Sequence, residues 1–163
     1  MTGHQLKIVR VVSCGHNHMK HGLLAEWTTA DVQVIARREP PLHDLPLTAD
    51  QVRVHHALAN PFRVDELRDL GGLDEPVQDF LQAQPEWTDL LNDTLAAIGR
   101  HFESGRTVVT AAVMCSGGHD RSVAAAELLV RVLKSWPETD AFTRHLHLYR
   151  RHPWVPALAR RGA

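Results

Sequence analysis

One short segment combines residue types that suit the binding of an anion. Its residues are Cys115, Ser116, Gly117, Gly118, His119, Asp120, Arg121 and Ser122. The two glycines leave their amide N–H groups unobstructed by a Cβ atom. A helix that starts after this loop would add the positive end of its dipole, and Arg121 can make a bidentate contact with a phosphate or a carboxylate. The segment therefore predicts an anion site, most directly for a phosphate.

The same segment permits a catalytic interpretation. Cys115 and Arg121 are separated by five residues, and Ser122 follows, as in the C-x-x-G-x-x-R-S loop of cysteine-dependent phosphatases. There a thiolate attacks phosphorus, with its pKa lowered by the helix terminus and the arginine. A general acid must then protonate the leaving oxygen, and the sequence does not choose between its candidates, Asp44, Asp65 and Asp74. A phosphatase is the alternative to a binding site.

A second loop follows the first predicted strand and carries Cys14, His16 and His18. In a parallel sheet, loops after different strands can meet at one edge, where α/β proteins bind their ligands. Cys14 and His16 are therefore predicted to contribute to the same site. Metal ligation is the alternative for this loop. A histidine cluster without a ligand is the default in a chain with 12 histidines, so no metal and no cofactor are expected.

The elements that must position these loops alternate between strands and helices. Hydrophobic patterning predicts strands over Leu6–Ser13, Asp31–Arg37, Gln51–His56, Thr107–Met114 and Thr143–Tyr149. Helical spacing is found around Val77–Leu81, from Pro85 towards Gly105, and from about His119 to near Trp136. Three prolines make the segment around 39–46 irregular. This alternation predicts an α/β fold, a three-layer-like sandwich with a largely parallel sheet and helices on its faces.

Composition narrows the class of protein. The chain has 163 residues and is 44% hydrophobic with a net charge of −1, which predicts one globular domain over 1–163 and excludes a histone-like polycation. No apolar run reaches the roughly 20 residues of a membrane span, and no signal-peptide pattern follows Met1. Two cysteines are too few for a secreted disulfide scaffold. A cytoplasmic protein without membrane contact is therefore expected.

Several motifs in order resemble the C-terminal domain of the RapZ family. The matching residues are Leu58, Asn60 and Pro61, then Leu67, Arg68, Gly72, Leu73, Asp74, Val77 and Phe80, then Cys115 to Ser122, with His145 on the last strand. The family's loop has a histidine directly before the arginine, whereas this chain has Asp120 there and His119 one position earlier. The family's N-terminal half with its Walker A motif has no counterpart here, since no G-x-x-x-x-G-K-[ST] occurs. We therefore expect a stand-alone version of the domain without that route to nucleotide hydrolysis.

The resemblance implies a ligand and partners. It implies binding of glucosamine-6-phosphate or a related amino sugar phosphate or nucleotide sugar, without its transformation. The phosphate would lie at Cys115 to Ser122 and the hydroxyls would meet Asn60 and Asp74. Arg37 would be the arginine of the family's D-x-R element, and His56 is the other candidate for that place. The resemblance further implies a regulatory role, a small RNA as partner, and self-assembly into a homo-oligomer.

The chain end, about 141–163, is predicted to hold the last strand and a basic tail. No carboxylate follows Asp140, and Tyr149 and Trp154 lie among positive charges. The arginines that would contact RNA are Arg144, Arg150, Arg151, Arg160 and Arg161. A frayed, solvated terminus is the alternative for this tail.

Overall fold

A computed structural model of the chain describes residues 3–19, 25–37, 50–52 and 57–149. Within these ranges the strands are β1 (Lys7–Gly15), β2 (Val32–Ile35), β3 (Asp50–Val52), β4 (Val108–Cys115) and β5 (Thr139–His145). They form one sheet in the order β3-β2-β4-β1-β5, and every neighbouring pair is parallel. The α/β class and the parallel sheet are therefore confirmed.

Four helices accompany the sheet in the described part of the chain: α1 (Ala25–Thr28), α2 (Glu75–Gln82), α3 (Pro85–Glu103) and α4 (Arg121–Leu133). The apolar sides of α2, α3 and α4 share one buried core with the sheet. Trp27 of α1 belongs to a second, smaller core on the opposite face. None of these helices is long and apolar enough to cross a bilayer.

The central strands are buried on both faces, as parallel strands usually are. In β1, Val9 and Val11 point into the larger core, whereas Cys14 points into the smaller one. In β4, Val113 and Met114 divide in the same way. The β-branched runs of these strands reflect this double burial, which is why the sequence predicts their positions closely.

The carboxyl ends of three adjacent strands meet at one edge of the sheet. Gly15 at the end of β1 is in register with Cys115 at the end of β4. Next to them, the amide of Ala36 after β2 donates to the carbonyl oxygen of Met114, at 2.8 Å. The loops after β1, β2 and β4 are thus neighbours, as the parallel arrangement predicts.

The last strand lies earlier than predicted. It covers Thr139–His145 rather than Thr143–Tyr149, so the sequence-based boundary is wrong by four residues. Pairing with β1 sets this register, because it buries Ala141 beside Val9, and alternation alone does not specify a register. The strand predicted over Gln51–His56 is seen at Asp50–Val52, and its remaining residues, like the irregular segment 39–46, lie outside the described ranges.

Candidate functional site

The segment Cys115–Ser122, here called the anion loop, leads directly from β4 into α4. Asp120 is the N-cap residue of α4, but its side chain makes no capping bond. Its Oδ1 lies instead 2.6 Å from Nδ1 of His119. An N-cap side chain would have occupied an amide of the first helical turn. The positive end of α4 is therefore left uncapped by Asp120 and faces the loop.

The sulfur of Cys115 lies beneath the anion loop. The amide of Gly118 donates to Sγ at 3.2 Å, and Sγ is 3.1 Å from Oγ of Ser122. Only 2% of Cys115 is exposed. Within the described residues, the amides of Gly117 and His119 donate to no protein acceptor. The loop is thus tied to the sulfur at one amide, while others remain available to a ligand.

Arg121 places a positive charge in the interior at the start of α4. The residue is 3% exposed. Its Nη1 donates to the carbonyl oxygen of Leu58 at 3.2 Å, and its Nη2 donates to Oγ of Ser116 at 3.4 Å. Both acceptors are neutral, and no ion pair joins this guanidinium to a carboxylate among the described residues. A buried charge is normally compensated by an opposite one, so an anion bound beside Arg121 would supply a countercharge that the described side chains do not provide as an ion pair.

A close backbone contact joins the anion loop to the loop after β1. A Cβ atom added at Gly15 would lie 2.4 Å from the carbonyl carbon of Gly117 and 2.6 Å from the amide nitrogen of Gly118. Gly118 has a φ of +71°, a conformation that glycine adopts without strain. The amide of Asn17 also donates to the carbonyl oxygen of Ser116, at 2.9 Å. We call the packing of Gly15 on Gly117 and Gly118 the glycine contact.

Gly72 also packs closely against the backbone of the anion loop. The amide of Gly72 donates to the carbonyl oxygen of His119 at 3.0 Å, and a Cβ atom at Gly72 would lie 2.4 Å from the carbonyl oxygen of Asp120. The buried amide of Gln78 donates to the carbonyl oxygen of Gly72 at 2.9 Å. This packing gives a physical role to the glycine of the G-L-D motif. Sequence reasoning assigned no role to Gln78.

Asn60 and Asp74 lie on the segments around the loop, and their side chains bond to local backbone. Oδ1 of Asn60 accepts from the amide of Phe62 at 3.1 Å, and Oδ2 of Asp74 accepts from the amide of Gly71 at 2.7 Å. The turn at Asn60 follows Leu58, whose carbonyl oxygen accepts from Arg121, and the turn at Asp74 follows Gly72, whose amide donates to His119 of the anion loop. Contact between these side chains and ligand hydroxyls stays a prediction.

The other residues predicted to contact the ligand, Arg37, His16 and Cys14, are buried at or just after the carboxyl ends of β2 and β1. Arg37 and His16 are buried at the carboxyl ends of β2 and β1, with 5% and 6% of their surfaces exposed. Cys14 points into the smaller core, and its thiol lies 3.7 Å from the carbonyl oxygen of Val113. Burial, and to a lesser degree the nearby Cys115, raises the pKa of the Cys14 thiol. The side chain of Cys14 thus lies in the smaller core, while its backbone packs next to Gly118 of the anion loop.

Two histidines near the end of β5 make contacts that sequence reasoning did not identify. Nδ1 of His145 lies 2.7 Å from Oγ of Ser13, and Nε2 of the same ring lies 2.7 Å from Oε1 of Glu127. His147 is 2% exposed, and its Nδ1 accepts from the amide of Gly15 at 2.8 Å. The paired spacing of these histidines was visible in the sequence, but their partners come from β1 and α4, which are distant in the chain.

The described part of the structure bears less on the two alternatives, a metal site and an RNA-binding tail. Over the described ranges, no group of three histidine, cysteine, aspartate or glutamate side chains is arranged to hold a metal ion. Arg144 is exposed and pairs with Glu26 at 2.6 Å. The other arginines predicted to contact RNA, Arg150, Arg151, Arg160 and Arg161, lie outside the described residues.

Comparison of the sequence with known proteins identifies the family of this chain. The family model of the RapZ C-terminal domain matches residues 42–149. A nucleotide-binding protein of Ectopseudomonas mendocina is 42% identical over 108 residues, which cover 64% of this chain and 38% of that relative. Nucleotide-binding proteins of Pseudomonas putida and Azotobacter vinelandii are 44% and 40% identical over 94 residues, or 55% of this chain and 33% of each relative. The chain thus matches less than two-fifths of the length of these relatives. It belongs to the RapZ C-terminal domain family.

Proposed function

We propose that the chain binds the phosphate group of a small phosphorylated metabolite in the anion loop, and that it does so without transforming the ligand. The observation that carries this proposal is the burial of Arg121, whose guanidinium contacts neutral acceptors and no carboxylate among the described residues. An anion in the loop would supply the missing negative charge. Two of its oxygens could accept from the remaining N–H groups of the guanidinium.

The backbone supports the same ligand. The amides of Gly117 and His119 donate to no acceptor among the described residues, and the loop continues into the first turn of α4, which Asp120 leaves uncapped. N–H groups at such a position bind phosphate in many α/β proteins. The carboxylate of Asp120 is the only negative side chain in the loop, and the ring of His119 engages it. The pair therefore reduces the repulsion that Asp120 would otherwise exert on a phosphate.

The ligand class that we propose is an amino sugar phosphate such as glucosamine-6-phosphate. The family resemblance favours this class, and Asn60 and Asp74 stand on turns beside the loop, where hydroxyl groups of a sugar could reach them. The relatives are named for nucleotide binding, and a nucleotide sugar would present the same phosphate chemistry. The family resemblance also favours a regulatory role, in which the chain would sense such a metabolite by binding it without turnover.

Calorimetry tests this proposal. We expect glucosamine-6-phosphate to bind more tightly than inorganic phosphate, because the sugar adds contacts, and glucosamine alone to bind more weakly than either. Tighter binding of UDP-N-acetylglucosamine would reassign the ligand to the nucleotide sugars. Absence of binding by all four compounds would refute an anion site in this loop.

A cysteine-dependent phosphatase is the second candidate, and the surroundings of Cys115 favour it. Its sulfur accepts a hydrogen bond from the amide of Gly118 and lies 3.1 Å from the hydroxyl oxygen of Ser122. In such a reaction the sulfur would bond to phosphorus as the ester P–O bond breaks, an acid would protonate the leaving oxygen, and water would release phosphate. Asp65 and Asp74, two proposed acids, bond instead to Arg68 and to the amide of Gly71.

Hydrolysis of an aryl phosphate separates the two candidates. A phosphatase would turn over the substrate between pH 5 and 8, and Cys115→Ser would abolish that activity. Our proposal expects no turnover by the wild-type chain. It also expects Cys115→Ser to keep phosphate binding, since the serine oxygen can still accept from the amide of Gly118 that holds the loop.

A further inference from the structure

We infer that His147 is a positioning residue for the anion loop and acts through the glycine contact. Nothing in the sequence patterns or in the family's motifs assigns a role to this side chain. The inference deepens the proposed phosphate site and, for its binding measurement, rests on that proposal. It is drawn from two successive contacts, that of His147 with Gly15 and that of Gly15 with Gly117 and Gly118.

The first contact fixes the chemical state of the imidazole. The amide of Gly15 can only donate, so Nδ1 of His147, at 2.8 Å, must accept. A doubly protonated ring has no acceptor, so the ring in this contact is neutral with its proton on Nε2. The residue is 2% exposed, which means that water cannot easily replace it as the acceptor. His18 packs against the ring, with 4.9 Å between the centroids.

The second contact transmits the position of Gly15 to the anion loop. Gly15 leaves no space between itself and the backbone of Gly117 and Gly118, since an added Cβ atom would lie within 2.6 Å of both. A shift of Gly15 must therefore move these two residues or open a gap beside them. Because the amide of Gly117 donates to no acceptor among the described residues and the amide of Gly118 holds the sulfur of Cys115, such a shift would change the geometry of the proposed anion site.

Two substitutions at this position distinguish a positioning role from mere packing. In His147→Asn, Oδ1 stands near the place of Nδ1 and still accepts from Gly15, but the side chain cannot titrate. In His147→Leu, volume is largely retained and the acceptor is lost. A matched control is His101→Leu, the same change at a histidine of α3 that contacts Asp50 and lies outside the site.

The measurements are amide chemical shifts in the free protein and titration with sulfate, whose charge is constant between pH 6 and 8. We expect ¹⁵N spectra to report an Nε2–H tautomer for His147. We expect His147→Leu to move the amide resonances of Gly117 and Gly118 and to weaken sulfate binding about tenfold. His147→Asn should remain within about threefold of wild type, and His101→Leu should match wild type.

Several results would overturn the inference. These are an Nδ1–H tautomer, unchanged resonances of Gly117 and Gly118 in His147→Leu, or an asparagine variant as defective as the leucine variant. If His147→Leu does not fold, the tautomer and the asparagine variant still decide. If wild-type protein binds no sulfate, the proposed function fails, whereas the resonances of the free protein continue to test the role of His147.

Discussion

Replacing Arg121 with methionine is expected to abolish phosphate binding while leaving the fold intact. Methionine follows the path of the arginine stem and fills irregular interior space well. It removes a guanidinium that is 97% buried, since the residue is 3% exposed. The unliganded protein loses two hydrogen bonds to neutral acceptors, those to Leu58 and Ser116. The liganded protein loses the countercharge of the anion.

The magnitudes of the two effects differ. Hydrogen bonds to a charged group contribute about 1.5–3 kcal/mol each, so a bidentate contact with phosphate is worth about 3–6 kcal/mol. Affinity should fall between about 10²-fold and 10⁴-fold. In the free protein, the two lost bonds are long, at 3.2 and 3.4 Å, and are therefore weaker than a close contact with phosphate. Their loss is also offset because the interior no longer holds a charge without an ion-pair partner. The free energy of unfolding should therefore change by less than about 2 kcal/mol.

Calorimetry with glucosamine-6-phosphate and urea unfolding of the free protein measure both quantities. Arg68→Met is the matched control, because Arg68 is 43% exposed and bonds to Asp65 on the surface, and it should bind the ligand as wild type does. Arg121→Lys keeps the charge without the planar fork and should give an intermediate affinity. Binding by Arg121→Met within threefold of wild type would refute the reasoning, as would a weakening of the same size in the control.

Further predictions concern the glycine contact, the buried thiol and the tail. Gly15→Ala should lower the free energy of unfolding by about 1–3 kcal/mol or more, because its Cβ would meet the backbone of the opposing loop. Gly117→Ala, whose Cβ meets nothing within 4 Å, should cost less in the same urea titration. Since burial raises the pKa of Cys14, this thiol ionises above pH ~8.5 only in the unfolded state. The free energy of unfolding should therefore fall above that pH by up to about 1.4 kcal/mol per pH unit. Cys14→Ala should remove that slope, and a slope equal to that of wild type would contradict the assignment. RNA affinity, measured by gel shift, should fall steeply with salt and on deletion after Pro153 if the basic tail binds RNA.

The parts of the fold that local sequence determines were predicted well. The apolar runs of β1 and β4 predict strands because both faces of these strands are buried. Burial on both faces favours an apolar residue at almost every position, and such a run can be recognised without knowing the partner strands. The start of α3 at Pro85 was predicted for a similar reason, since proline fixes a φ that suits the first helical turn. The anion loop was found because its glycines, arginine and serines are contiguous in the chain.

Features that depend on pairing between distant segments could not be obtained in this way. The alternation over Thr143–Tyr149 resembles a strand, but hydrogen bonding to β1 sets the register four residues earlier. His147 thereby leaves the ladder and becomes available to Gly15. That Arg121 forms no ion pair with a carboxylate of the described residues is likewise a property of the packed chain, since acidic residues lie on both sides of it in the sequence.

The two cysteines occupy similar places in the sequence but different environments in the structure, because the strands that carry them pair with an offset of one residue. Each cysteine stands at the end of a predicted strand before a glycine-containing loop, so both were candidates for the same site. The register pairs Gly15, not Cys14, with Cys115, and side chains alternate between faces along a strand. Cys115 therefore points towards α4 and meets Ser122, whereas Cys14 points into the smaller core. The position one step further along β1 must then be a glycine, because it is the one that faces the backbone of the anion loop.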